Sequence, residues 1–561
     1  ETLTQFEQAT NFGSLIVPKL KDSAGTARLI EAKNFSGDLL LSEVNERLVK
    51  VLRMAAYLSP KYHIVLANPP YLGSKGMNGH LGVFAKENYP DSKSDLFAMF
   101  MERTLALSIK RGMMAMINMQ SWMFLSSYEN LRGKLLTHST ILSMAHLGGR
   151  GFDTIGGAVV STTAFVIQNA HHVALKGDYA RLVDGDSEAE KAAQMRHALQ
   201  NPDCGWFYRV SAEDFGKIAG SPLTYWIKGI SNFSGQKIGD VFVSGGRNKT
   251  HSNERYLRYV WEVSNKTFDW VPYCNGGDFR KYTGSQVEYI DWSDEARAFY
   301  ESHGGLSNPK YWKKEGITWS LITSGITGFS LKHHTQQYSS GSPTIFNQNF
   351  ECDFVLLGFL NSPVAQYYLN ALNPTVNTTV NTVLSLPYLE IIWPPKVASN
   401  VQSAILMSKN DWDTYETSVN FISHSFLRHG FQKCLVQDIY EIDRTDWEAM
   451  ASTMKRIEEE NNYIFIEAYR LQAELLPEVP IEKITLICNP AYRYGIKGTK
   501  EEREVRLKAD TMAEFLSYAV GCMFGRYSLD EAGLILANQG ETLADYLAHI
   551  PEPAFMPDDD N

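Results

Sequence analysis

The stretch His63-Ile64-Val65-Leu66-Ala67-Asn68-Pro69-Pro70-Tyr71-Leu72-Gly73 decides how this chain is read. Tyr62 to Ala67 has the length and apolar character of a buried strand, and the chain leaves it at two prolines and an aromatic. In an open α/β sheet, ligands bind just beyond the carboxyl ends of the strands, where Asn68 to Tyr71 would lie. Proline lacks an N–H and fixes φ, so Pro69 and Pro70 hold the loop rigid and leave carbonyl acceptors free. Pro70 also pushes Pro69 towards an extended conformation. Asn68 adds a side-chain acceptor, and Tyr71 adds a flat apolar face with a polar tip. Two rigid acceptors beside an aromatic platform suit a planar ring with an exocyclic amine. Accepting both amine protons draws the nitrogen lone pair out of ring conjugation and makes it nucleophilic. The plainer alternative is a turn that ends a strand, for which Asn-Pro and Pro-Pro are ordinary punctuation.

The surroundings bear on that choice. Residues 94–109 read as a helix capped by Ser94 or Asp95, 112–119 as a strand, and 127–138 as a second helix. "TILSMAHL" and "VVSTTAFVIQN" follow as strands, and the alternation predicts a mostly parallel α/β sheet over 1–170. Residues 171–235 read as a polar connector. From 236 to 395, glycine pairs separate short runs rich in Trp, Tyr and Thr, which predicts a mixed, β-rich domain. Residues 396–561 read as a helical region, with long helices over 446–476 and 509–527.

A chain of 561 residues exceeds one core and predicts about three or four domains. No apolar run approaches the roughly 18 residues that span a bilayer, and no signal-peptide pattern appears. The six cysteines are scattered without a Cys-x-x-Cys pair. A cytoplasmic monomer with reduced thiols, no metal and no membrane partner is expected. The net charge is −10, and roughly 28 acids face 15 bases beyond residue 400. The first 400 residues therefore come out near +3, which neither argues for DNA nor excludes it.

The Asn-Pro-Pro-Tyr loop resembles the catalytic motif of amino-group DNA methyltransferases that act on adenine. The longer run from Asn68 through "SDLFAMFMER" and "QSWMFLSSYENLR" is similar to the PglX family, the methyltransferases of BREX phage-defence systems. "GGRGFDTIGGAVVSTTAFVIQN", "WVPYCNGGDFRKYTG", "LLGFLNSPVAQYYLNALNPTVN", "EENNYIFIEAY" and "GCMFGRY" carry the resemblance along most of the chain. It implies a Rossmann-like class I methyltransferase fold with its amino-terminal part missing, a target-recognition domain, and a helical spacer. It further implies transfer of a methyl group from S-adenosyl-L-methionine to N6 of an adenine flipped out of double-stranded DNA. Asn68 and Pro69 would hold the amine, Pro70 would stiffen the loop, and Tyr71 and Phe152 would stack on the base. Asn11, Phe12, Asn68 and Asp95 are the cofactor candidates, Asp95 being equally readable as the helix cap alone. The family's glycine-rich cofactor loop precedes its catalytic motif, and none lies between Glu1 and Asn68, so the main binding loop is expected upstream of residue 1. The middle region resembles a target-recognition domain, in which Arg247, Lys249, Arg280, Lys281, Lys313, Lys332 and His333 are the DNA-contact candidates. Other BREX components and phage-encoded inhibitors are the further partners implied.

Two alternatives stand beside this reading: a fused type II restriction-methyltransferase with its nuclease outside the chain, and a non-catalytic DNA-recognition module. Asp22, Glu31 and Lys33 fit a loose metal-nuclease spacing, but such spacings recur by chance. "NPAY" at 489–492 nearly copies the motif, yet it lacks the second proline and lies among helices. "GGRGFDTIGG" mimics a dinucleotide loop, but Phe152, Asp153, Thr154 and Ile155 are too bulky for close phosphate approach.

Overall fold

The computed structural model describes residues 1–33, 39–154, 160–218, 220–263, 269–323, 325–349, 353–372, 377–389, 391–429 and 435–553. The chain forms two compact units, 1–230 and 231–561.

The first unit is built on a six-stranded sheet with spatial order β1-β2-β4-β3-β5-β6. Its strands are β1 (Tyr62–Ala67), β2 (Ser108–Met119), β3 (Thr140–Gly148), β4 (Thr162–Gln168), β5 (Lys176–Arg181) and β6 (Phe207–Ser211). The first strand falls where its apolar run ends, because Pro69 and Pro70 cannot donate to a ladder. The expectation of a mostly parallel sheet is corrected. Only β1 with β2 and β3 with β5 run parallel, while β4 is antiparallel to both β2 and β3, and β6 to β5. The physical reason is the connection between β3 and β4, whose described residues contain no crossover helix, so the chain reverses. The 171–235 connector is also corrected: β5, the helix Glu188–Gln200 and β6 continue the sheet.

The helix Leu96–Leu107 packs on β1 and β2, burying Phe97, Ala98 and Met101 with Met114, Phe165 and Ile167 of the sheet and Trp122 just beyond β2. The opposite sheet face carries the short side chains of Ala115, Ala145, Ala164 and Ala180, which with Leu66 line an open apolar trough of about 740 Å³. β1 is the sheet edge, and its Ile64 and Leu66 are 62% and 74% exposed, unlike the buried strand expected.

The second unit holds a five-stranded sheet, β10-β13-β12-β15-β7, and a four-stranded sheet, β14-β9-β11-β8. These are β7 (Phe242–Ser244), β8 (Leu257–Tyr259), β9 (Trp270–Cys274), β10 (Tyr282–Thr283), β11 (Glu288–Asp291), β12 (Gly316–Trp319), β13 (Phe329–Lys332), β14 (Gln337–Tyr338) and β15 (Thr344–Asn347). Helices Pro395–Trp412, Val436–Ala468 and Lys500–Met523 dominate the rest. The helix expected over 446–476 begins ten residues earlier and stops sooner, where Arg470 takes a positive φ of 57° and Leu471 N–H returns to the Ile466 carbonyl.

Residues 236–395 and 396–561 are not separate. Asp411, on the helix Pro395–Trp412, accepts from Arg280 Nη2 at 3.1 Å and from the backbone N–H groups of Ile487 and Cys488. Lys281 pairs with Glu458 on the helix Val436–Ala468. The β-rich and helical regions thereby share one interior.

Candidate active site

The sheet's register gathers the candidates of the first unit on one rim. Ala67, the last residue of β1, is in register with Met116, and Met119 and Gly148 both face Thr162. Asn68 therefore follows β1, Gln120 follows β2, and the Phe152 loop follows β3 at the same end.

Asn68 is exposed, and neither its side-chain amide nor the Pro69 carbonyl has a hydrogen-bond partner among the described residues. Pro69 itself is buried, so the loop is rooted while its acceptors stay free. Tyr71 stands edge-on to Phe97, with ring centroids 6.2 Å apart at 87°. Partial burial, with the Asp95 carboxylate nearby, raises its phenol pKa and keeps it a neutral ring.

What holds the loop is Asp95. Its Oδ1 accepts from Leu72 N–H at 3.0 Å and from Phe97 N–H at 3.3 Å, so one oxygen fixes the loop and caps the helix Leu96–Leu107. Leu96 N–H donates back to the Leu72 carbonyl, and Ser74 N–H to that of Ser94. Asp95 is 8% exposed, and burial raises its carboxyl pKa against the pull of those backbone N–H groups. The structure thus gives Asp95 the cap and a second, loop-holding bond that the sequence did not foretell.

Asn11 exchanges a reciprocal pair of amide hydrogen bonds with Asn78, each 3.1 Å. Phe12 stacks on Phe84 at 4.1 Å and joins a cluster with Leu15, Leu81 and Leu72, next to the loop. Arg103 anchors this segment from below, donating to the carbonyls of Ser14, Ile16 and Leu58 at 2.8–3.0 Å. Phe152 is partly buried on a loop tied to the helix Glu188–Gln200 by Asp153 and Glu188. No ring contact joins it to Tyr71 among the described residues, and Ile155 lies outside those residues.

The sequence reading missed His146. Its ring sits between Tyr225 Oη (3.0 Å) and Gln120 Oε1 (2.7 Å), and burial pushes its pKa down to about 3. A histidine inside the apolar run "SMAHL" was the available signal.

In the second unit, three DNA-contact candidates are corrected. Arg280 and Lys281 are each 5% exposed and hold the interior ion pairs described above. Lys332 is fully buried, donates to the carbonyls of Trp312 and Lys314, and has its pKa lowered to about 8 by burial. Their charges are spent on the protein and cannot reach phosphate. Arg247, Lys249 and Lys313 are exposed and enter no ion pair among the described residues. His333 is also exposed and lies with His334 and Glu315 in the one cluster of metal-compatible spacing among the described residues. The second motif-like stretch is structural: Asn489 donates to the carbonyls of Ile481 and Ile484, and its Oδ1 caps the helix Pro490–Tyr494.

Residues 9–152 match the family model described as Eco57I restriction-modification methylase. Along its whole length the chain is 35% identical to the adenine-specific methyltransferase BrxX of Escherichia coli O9:H4 (strain HS), of which it covers 47%. It is 33% identical to the adenine-specific methyltransferase PglX of Lacticaseibacillus casei (strain Zhang), of which it covers 48%. The type IIL restriction-modification enzyme MmeI, solved in complex with DNA, aligns over 84% of this chain and 58% of its own at 10% identity and a TM-score of 0.42. The chain therefore spans about half the length of the curated relatives it matches, and it is homologous from end to end to the adenine-specific methyltransferases BrxX and PglX, with an Eco57I-type methylase segment around its Asn-Pro-Pro-Tyr loop.

Proposed function

We propose that this chain forms the catalytic loop and target-recognition part of a site-specific DNA adenine-N6 methyltransferase that marks host DNA in a BREX-type phage-defence system. The observation that carries the reading is the pair of unpartnered acceptors, Asn68 Oδ1 and the Pro69 carbonyl, on a loop fixed by Asp95. Together they accept both protons of an adenine amine and leave its lone pair directed away from the ring. Tyr71 supplies the stacking face on one side of the flipped base, and Phe152 the other. The first unit's sheet is then the portion of a Rossmann-like class I fold that bears the catalytic loop.

S-adenosyl-L-methionine supplies an electrophilic methyl group when bound. The residues present fit one edge of it. Phe12 offers the ring face turned from Phe84, and Asn68 an unpartnered amide, whereas Asn11 and Asp95 already spend their polar atoms on Asn78, Leu72 and Phe97. That is a partial cradle, so calorimetric titration of this chain alone should give no micromolar affinity for the cofactor. Double-stranded DNA is the substrate, met by Arg247, Lys249, Lys313 and His333 of the second unit, and the protein acts in the cytoplasm as a monomer.

The decisive experiment measures adenine methylation in cells carrying the complete system with Asn68→Ala beside the wild type. Loss of methylation with normal protein level is expected, and methylation that persists in the variant would sink the assignment.

A further inference from the structure

The second unit holds a side-chain cluster that the methyl-transfer reading does not use, at the turn where the chain leaves one sheet for the other. β13 ends at Lys332 in the five-stranded sheet, and β14 begins at Gln337 in the four-stranded one. His333 to Gln336 form the turn between them, closed by Gln336 N–H to the His333 carbonyl at 3.0 Å. The Gln336 side chain braces it a second time, because its Oε1 accepts from His333 N–H at 2.8 Å.

Strand pairing then delivers a carboxylate to this turn. β12 and β13 are antiparallel with Gly316 opposite Lys332, so Glu315 and His333 are the next pair along. One donor atom from each of Glu315, His333 and His334 lies within 4.8 Å of the other two. Glu315 Oε1 stands 3.8 Å from His334 Nδ1, and the two imidazole rings have centroids 3.9 Å apart. Thr335 Oγ1 hydrogen-bonds His333 Nδ1 at 2.9 Å and fixes the orientation of that ring. Both histidines are exposed and the Glu315 side chain is 34% exposed, so an ion reaches all three from solvent.

The donor set narrows the ligand. Two imidazole nitrogens and one carboxylate oxygen suit zinc and its neighbours in the first transition row, whereas magnesium and calcium prefer oxygen alone. Bonds of about 2.1 Å put donors about 3.4 Å apart in a tetrahedral shell, which rotation of the His334 and Glu315 side chains attains. The charge balance limits the affinity. Glu315 is the one carboxylate of the cluster, and Lys332 and Lys409 are the cations that act on His333. Lys332 spends its ammonium on the carbonyls of Trp312 and Lys314. Three protein donors with a single negative charge leave room for water on the ion and predict binding in the micromolar range.

We propose that Glu315, His333 and His334 bind one divalent ion of the zinc class, which ties the start of β12 to the turn between the two sheets. No spacing in the sequence announces this site, because Glu315 meets the histidines only through strand pairing. The proposal does not depend on the methyltransferase reading, because its test reads metal binding and not methylation.

The test uses the tag-free chain stripped of metal with a chelator. Zinc is titrated by calorimetry, and cobalt(II) into a second sample, where visible d–d absorption reports imidazole ligation. We expect one ion per chain with a dissociation constant of about 1–10 μM, and no heat from magnesium at the same concentration. Zinc should also raise the thermal unfolding midpoint, since it binds the folded chain. Glu315→Gln and His334→Ala should each weaken zinc about tenfold or more. Both side chains reach solvent, so in chelator both variants should unfold at the wild-type midpoint. His251 and His303, whose rings stand 5.4 Å apart in the same unit, supply the control, and His303→Ala should leave binding unchanged. No binding tighter than about 1 mM overturns the proposal. So does binding that survives both Glu315→Gln and His334→Ala, or that is lost with His303→Ala.

Discussion

Replacing Asp95 by alanine is the sharpest test of how the loop from Asn68 to Tyr71 is held. One carboxylate oxygen receives Leu72 N–H at 3.0 Å and Phe97 N–H at 3.3 Å in a site only 8% exposed. Loss of a helix cap costs about 1 kcal/mol. Leaving the half-buried Leu72 N–H without an acceptor costs about 1–3 kcal/mol more at most. Asp95→Ala should therefore destabilise the first unit by about 2–4 kcal/mol. Asp95→Asn keeps a neutral acceptor in place. Because burial raises the Asp95 pKa, the lost charge is one the site already disfavours, and the asparagine variant should stay within about 1 kcal/mol of wild type. The sign with pH follows from that direction. A carboxyl whose folded pKa is raised contributes most when protonated, so wild type should gain on Asp95→Asn as pH falls into the carboxylate range. Urea unfolding gives the free energies, and amide hydrogen exchange at Leu72 reads the loop directly. Alanine within about 0.5 kcal/mol of wild type, with Leu72 exchange unchanged, would refute the reasoning.

Four further outcomes are expected. Lys281→Met strands the buried Glu458 and should cost about 3–5 kcal/mol by urea unfolding, whereas Lys281→Met with Glu458→Gln should recover most of it. The same Lys281→Met should leave the salt dependence of DNA binding unchanged, while Lys313→Ala lowers its logarithmic slope by about one. His146, held neutral with its pKa near 3, should make stability fall as pH drops below about 6.5, by about 2 kcal/mol at pH 5; His146→Gln should flatten that slope in pH-dependent unfolding curves. Leu66, 74% exposed on the sheet edge, should accept threonine within about 0.5 kcal/mol while light scattering shows slower aggregation.

Local pattern was enough for much of the first unit. The apolar run 62–67 became β1, and the helix expected over 127–138 became Glu129–His138, because propensity, caps and burial agree there. Pairing direction was not legible, since nothing in "VVSTTAFVIQN" records that β4 inserts between β2 and β3. The exposure of Ile64 and Leu66 was equally hidden, because an apolar run reports what a strand buries in a complete sheet and not which edge it occupies. Among the basic residues, Arg280 and Lys281 looked like Lys313 in sequence. They differ through partners 131 and 177 residues away, Asp411 and Glu458, which no window of sequence contains. Asp95 lies between these cases. Its cap was readable from the next residues, but its bond to Leu72 depends on a tertiary return that the motif itself directs.

That return gives the site its chemical sense. The helix Leu96–Leu107 holds the acceptor loop at its first residue through Asp95, and two turns later Arg103 holds the carbonyls of Ser14 and Ile16, beside Asn11 and Phe12. Tyr89 adds a third tie, from its hydroxyl to the Leu15 carbonyl at 2.7 Å. Arg103 is 3% exposed and has no carboxylate partner among the described residues, so its charge rests on those backbone dipoles and on the nearby Tyr89 phenol. A buried cation is a costly way to fasten a loop, and a neutral side chain could not donate to three carbonyls at once. The arrangement makes sense if the spacing between the Phe12 segment and the Asn68 loop matters more than the stability spent on it. Methyl transfer to an amine imposes that demand, because donor and acceptor must lie in line and close before any bond changes. In the proposed reaction, two acceptors fixed in advance, on a loop that need not reorganise, would favour the charge developing on the amine nitrogen without a further ordering cost at the moment of reaction.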